Sequence, residues 1–236
     1  MSDKANISSG SRFQRVAGLA GIVFVLVILG ANLILVPAGL PTPGTDSGEA
    51  ATFFADHRGL VAAAMAPTPL AWFCAVLFGA GVLTVLRPVE RRAGTAWSLV
   101  GFAGLLLQNA TFTVIVGIRY ALGISSEGGA LWALHDALLA LNGTFLALAL
   151  VGLTIAGRLG GLVPRWHALI GFLAAALQFT AATIAPVVID EKGPLGLIGL
   201  SGWLLWTIWF AAYGIALLRF SPSTDSAVIA LYILKI

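Results

Sequence analysis

Residues 131–157, LWALHDALLALNGTFLALALVGLTIAG, stay apolar for the length a helix needs to cross a bilayer, yet they carry His135, Asp136 and Asn142. About 20 residues at 1.5 Å each span the roughly 30 Å of hydrocarbon. Polar side chains in that medium are costly unless other helices or water partner them. The stretch therefore demands neighbours, and the chain supplies them. Apolar segments of spanning length lie at about residues 16–40, 60–86, 96–118, 131–157, 166–186 and 197–218. Short connections favour antiparallel neighbours in one bundle. The expected fold is all-α: a polytopic transmembrane bundle of six helices over residues 16–218, with tails at 1–15 and 219–236.

Composition agrees. The chain is 59% hydrophobic and only 10% charged, too little charge to cover a surface facing water. A formal charge of +3 gives no argument for nucleic acid as a partner. The lone Cys74 allows neither an intrachain disulfide nor a cysteine metal cluster, and reads as a small buried hydrophobe. Lys4, Arg12 and Arg15 before the first apolar run resemble a signal peptide, but the run exceeds a typical signal core and more spans follow. It reads as a retained first helix.

The basic residues orient the bundle. One set of connections and ends holds Lys4, Arg12, Arg15, Arg87, Arg91, Arg92, Arg158, Arg165, Arg219 and Lys235; the other holds only Arg58, Arg119 and Lys192. The first set is expected to be cytoplasmic, with both termini inside a bacterial-type cytoplasmic membrane. Acidic residues such as Asp46, Asp56, Glu127, Asp136, Asp190 and Glu191 gather on the opposite side.

Local signals refine this. Asp46, three residues before Glu49, resembles a capping box, which predicts a short helix from Ser47 to about His57 with Phe53 and Phe54 dipping into the interface. Pro67 and Pro69 predict a kink in helix two, with freed carbonyls near Ala63 and Met65. Helices three and five share Gly101-Phe102 then Gln108, and Gly171-Phe172 then Gln178, each after a tryptophan. Gly81 to Arg87 and Gly152 to Arg158 repeat the preceding helix ends. Helices two–three and four–five thus read as parallel copies of one hairpin, or as chance self-alignment of Ala/Leu/Gly-rich sequence. Trp203, Trp206, Trp209 and Tyr213 recur at three- and four-residue steps, which predicts an aromatic face on helix six, with Trp203 in the outer belt. The apolar tail 227–236 is too short to span.

Two polar groups carry the functional expectations. Gln108, Asn142 and Gln178, with Asn109 beside them, share a layer near the midplane, about 16–18 Å from the ends of their helices. Such amides either glue helices together or line a pocket for an uncharged or zwitterionic ligand. At the outer rim, His57, Arg119, His135 and Asp136 come within reach of one another, and Arg119 is expected to pair with Asp136. Two imidazoles and a carboxylate are metal-ligand types, but a third histidine on that side and an HExxH pattern are missing, so no metal and no cofactor is expected. The sequence also lacks a phosphate loop, GxGxxG, GxSxG and CxxC. Three functions stay open: a non-enzymatic protein that binds or passes a small ligand, an enzyme with a rim His/Asp site, and a structural subunit docking a membrane partner through its tryptophans.

The six-helix layout over about residues 10–220 and the LRPVER turn at residues 86–91 resemble a bacterial family of multi-pass membrane proteins of unknown function. That resemblance implies the fold and no activity.

Overall fold

The computed structural model describes residues 2–125, 128–190 and 192–220, with side chains from residue 12 onward. Glu127, Glu191, the side chain of Lys4 and the tail 227–236 lie outside the described residues. Every regular element among the described residues is helical: α1 (Ser2–Leu35), α2 (Ser47–Asp56), α3 (Arg58–Met65), α4 (Thr68–Ala93), α5 (Trp97–Leu122), α6 (Gly128–Leu159), α7 (Arg165–Thr183), α8 (Ala185–Asp190) and α9 (Gly196–Arg219). Six stretches are long and apolar enough to cross a membrane, with α3 and α4 together making the second. Leu33, Phe73, Leu107, Leu141, Leu169 and Ile208, one from each of the six spans, are all exposed. A surface with so much apolar area around its whole girth is one solvated by lipid.

The helix ends follow local chemistry. α1 stops at Leu35, short of residue 40, because Pro37 disfavours helical backbone at the residue before it. Asp46 caps α2 by accepting from the backbone N–H of Gly48 at 2.9 Å and of Glu49 at 3.1 Å. Pro67 does more than kink the second span: it separates α3 from α4. Thr68 Oγ1 donates to Met65 O at 2.6 Å, which satisfies one of the carbonyls freed by the break. The LRPVER segment is no turn. α4 continues through it to Ala93, and Gly94 ends the helix with φ +67°, a left-handed conformation glycine adopts without cost. The span expected over residues 166–186 ends at Thr183, and Pro186 falls in the separate α8.

The spans form a ring in chain order. α1 packs on α4, α4 on α5, α5 on α6, α6 on α7 and α7 on α9, and α9 returns to α1. Small residues permit the close crossings. A Cβ on Gly18 would lie 2.8 Å from Gly214 O, and one on Gly143 would lie 2.5 Å from Gln178 O. Gln14 closes the seam: its Nε2 donates to Leu217 O at 2.6 Å and Phe220 O at 2.5 Å, carbonyls that the end of α9 leaves without helical partners. The glycines of the sequence repeat all sit at crossings. Gly81 and Gly152 each abut the preceding span, at Ala17 and Gly101, whereas Gly101 abuts the following span at Leu153 and Gly171 sits between Thr154 of the preceding span and Trp209 of the following one.

At the basic end, Glu90 is fully buried and caps α5, accepting from Ser98 N at 2.7 Å and from Ser98 Oγ, with Arg87 Nη1 3.8 Å away. The aromatic face of α9 turns inward. Trp206, Trp209 and Tyr213 are buried, with Phe24, Phe78 and Phe210 packed among them at ring separations of 4.3–5.6 Å. It is core, with Trp203 half-buried at its outer end.

Candidate functional site

Five of the six spans converge on one small cavity at the bundle axis. Its wall is aromatic, with Phe24 from α1, Trp72 from α4, Phe112 from α5, and Trp203 and Trp206 from α9. Gln108 of α5 and Asn142 of α6 supply polar lining. Trp203, half-buried, lines this cavity. The space open to the centre of a water molecule is ≈ 20 Å³, above the roughly 10–15 Å³ that one water requires. Gln108 Oε1, Asn142 Oδ1 and Trp72 Nε1 are buried atoms without a hydrogen-bond partner among the described residues. Two acceptors and one donor thus belong to side chains that line one cavity, and each unpaired buried group costs about 1–3 kcal/mol.

The other two amides of the layer do different work. Asn109 Nδ2 reaches Trp72 O at 3.4 Å, a long contact across to α4. Gln178 Nε2 donates to Gly199 O at 3.1 Å and ties α7 to α9. The structure therefore brings Gln108 and Asn142 to one cavity and uses Asn109 and Gln178 between helices. Trp72 escapes sequence reading because an indole in an apolar run gives no sign that its N–H lacks a partner.

The rim residues also divide. Arg119 Nε donates to His135 Nε2 at 3.1 Å. Accepting there leaves His135 Nδ1 as the protonated nitrogen, so Nδ1 donates to Asp136 Oδ1 at 3.1 Å. Asp136 Oδ2 accepts from Gly44 N at 3.0 Å. All three side chains are buried. The expected direct Arg119–Asp136 pair is absent, because the neutral ring stands between the two charges. Trp132 stacks on His135 with centroids 4.6 Å apart and planes 14° apart, and its Nε1 donates to Thr45 O at 2.8 Å. The loop before α2 thus closes over Asp136 and Trp132 together, a contact no local sequence signal announces.

His57 stays apart. Its Nδ1 lies 3.1 Å from Phe53 O, and its ring stacks on Phe53. Phe53 and Phe54 are buried, not interfacial; Phe54 packs towards Trp132 and His135 at 6.1 and 6.5 Å. Both nitrogens of His135 are engaged, and no group of three or more His, Cys, Asp or Glu among the described residues is placed to hold a metal. At the basic end His167 Nε2 donates to Trp209 O at 2.9 Å, another tie between α7 and α9. Comparison of the chain with models of known families, with curated proteins and with solved structures finds no match.

Proposed function

We propose that this multi-pass membrane protein is non-enzymatic and binds a small uncharged hydrogen-bonding group at the bundle axis. The observation that carries the reading is that Gln108, Asn142 and Trp72, which line one cavity, each hold an unpaired buried polar atom: Oε1, Oδ1 and Nε1. A hydroxyl or primary amide donates to one or both carbonyls and accepts from the indole, and the aromatic wall suits the carbon attached to it. The size of the cavity limits the occupant to a water-sized group, so a larger ligand inserts only its polar end. The sidedness follows the basic residues, with the Gly94 and Gly161 turns in the cytoplasm of a bacterial-type cell.

The test is thermal unfolding in lipid nanodiscs, titrated with ethanol or acetamide, for the wild type and the Gln108→Leu/Asn142→Leu double variant. Ligand that binds only the folded state raises stability as RT ln(1 + [L]/Kd). At least one probe is expected to raise the wild-type midpoint relative to the variant. Identical responses in both proteins refute the reading. The rim offers a weaker alternative as an enzyme site, since His135 would first have to release Arg119 before its Nε2 accepted a substrate proton.

A further inference from the structure

We propose that the cleft between α3 and the end of α5 is an oxyanion site that takes a phosphate group. The cleft offers ≈ 240 Å³ to water-sized centres, and Arg58, Arg119, Tyr120 and Gly123 line it along with Phe54 and Val61. That is below the roughly 300–1,000 Å³ of sites for drug-sized ligands, and suits a single headgroup.

The argument rests on Arg119. Its side chain is only 7% exposed, yet no carboxylate lies within 4.0 Å of it among the described residues. Asp136 reaches it only through the neutral ring of His135. Nη1 lies 4.0 Å from Met65 Sδ, a weak acceptor. Buried guanidinium groups are otherwise paired or functional. Here His135 and Asp136 fix the orientation of the guanidinium, and Arg119 still has charge to offer in the wall of an open cleft.

A second cation, Arg58, lines the same cleft, likewise without a carboxylate within 4.0 Å among the described residues. Two guanidinium groups around one cavity match the planar, multidentate recognition of phosphate oxygens. Arg119 lies three residues before Leu122, about 4.5 Å from the end of α5 by the helical rise, which is the level of lipid headgroups. Phe54, Val61 and the exposed Ile124 make the remaining wall apolar. The phosphate therefore comes from an anionic lipid or from solution, and the chemistry of the contact is the same.

The experiment separates the two sources. Thermal midpoints are measured in phosphatidylcholine nanodiscs, in the same discs containing phosphatidylglycerol, and in phosphatidylcholine discs titrated with inorganic phosphate against chloride of equal ionic strength. Wild type is compared with Arg58→Gln, an exposed position whose replacement leaves the core intact, and with Arg119→Gln. A rise with phosphatidylglycerol alone identifies a lipid headgroup; a rise with inorganic phosphate identifies a free oxyanion. Arg58→Gln is expected to weaken the responding arm about tenfold, the equivalent of one charge-assisted contact. No response in either arm, or equal responses in wild type and Arg58→Gln, overturns the proposal. Should Arg119→Gln fail to fold, Arg58→Gln decides alone.

Discussion

Replacing Gly152 by alanine tests the packing of the ring at its tightest kind of point. A Cβ at Gly152 would stand 2.6 Å from Gly101 Cα and 2.8 Å from Trp97 O. The first distance is about 0.8 Å inside ordinary van der Waals contact at 3.4 Å. Both obstacles are backbone, so no side chain can swing away, and α5 must move off α6 as a body. Overpacking of this kind costs about 1–3 kcal/mol, and more where the backbone cannot yield. Gly30 is the control, since nothing lies within 4 Å of its would-be Cβ. There the same substitution removes a helix-interior glycine and is expected to stabilise by about 0.5–1 kcal/mol. Reversible unfolding in mixed micelles, with denaturing detergent as titrant, measures both. The expected result is a pair of shifts of opposite sign. Gly152→Ala as stable as wild type would refute the close crossing of α5 and α6.

The remaining expectations are shorter. Asp136→Ala leaves the Gly44 N–H and His135 Nδ1–H without an acceptor, at about 1–3 kcal/mol each, so a loss of roughly 2–6 kcal/mol is expected in the same assay. Asp136→Asn keeps an acceptor oxygen and should lose distinctly less; equal losses would argue against these two contacts. Gln108→Leu/Asn142→Leu removes two unpaired buried carbonyls and is expected to raise basal stability by about 1–3 kcal/mol, since binding sites are kept at some expense of stability. A drop in its unfolding midpoint without added probe would contradict this. Topology reporters inserted at Gly94 and Gly193 should report opposite sides of the membrane, with Gly94 cytoplasmic, and a common side would refute the orientation.

The spans were legible because hydropathy over some 20 residues is a property of the segment alone. The cap at Asp46 and the interruption at Pro67 were legible for the same reason, being written in a few adjacent residues. What a side chain meets across the bundle was not. Gln108 and Asn109 are neighbours in sequence, yet one reaches the axis and the other a carbonyl of α4. Arg119, His135 and Asp136 were recognisable as a group, but which of them stands in the middle depends on how α5 and α6 cross. Phe53 and Phe54 read as interfacial because nothing in their own segment foretells that Trp132 and His135 will cover Phe54. The tryptophans of α9 share one helical face as their spacing indicates, but that face belongs to the core, because α1 and α4 bring Phe24 and Phe78 to meet it.

The seam at Gln14 has a consequence for biogenesis. While the chain emerges, α1 and α4 wait with part of their inner surfaces bare, since the helix that joins them at the axis is made after the other five spans. Until residues 196–219 insert, Gln108 and Asn142 have one wall missing and meet lipid or translocon water. Closure of the ring therefore waits for α9, and a ribosome stalled before it would leave an open ring of five spans with two amides bare at the axis.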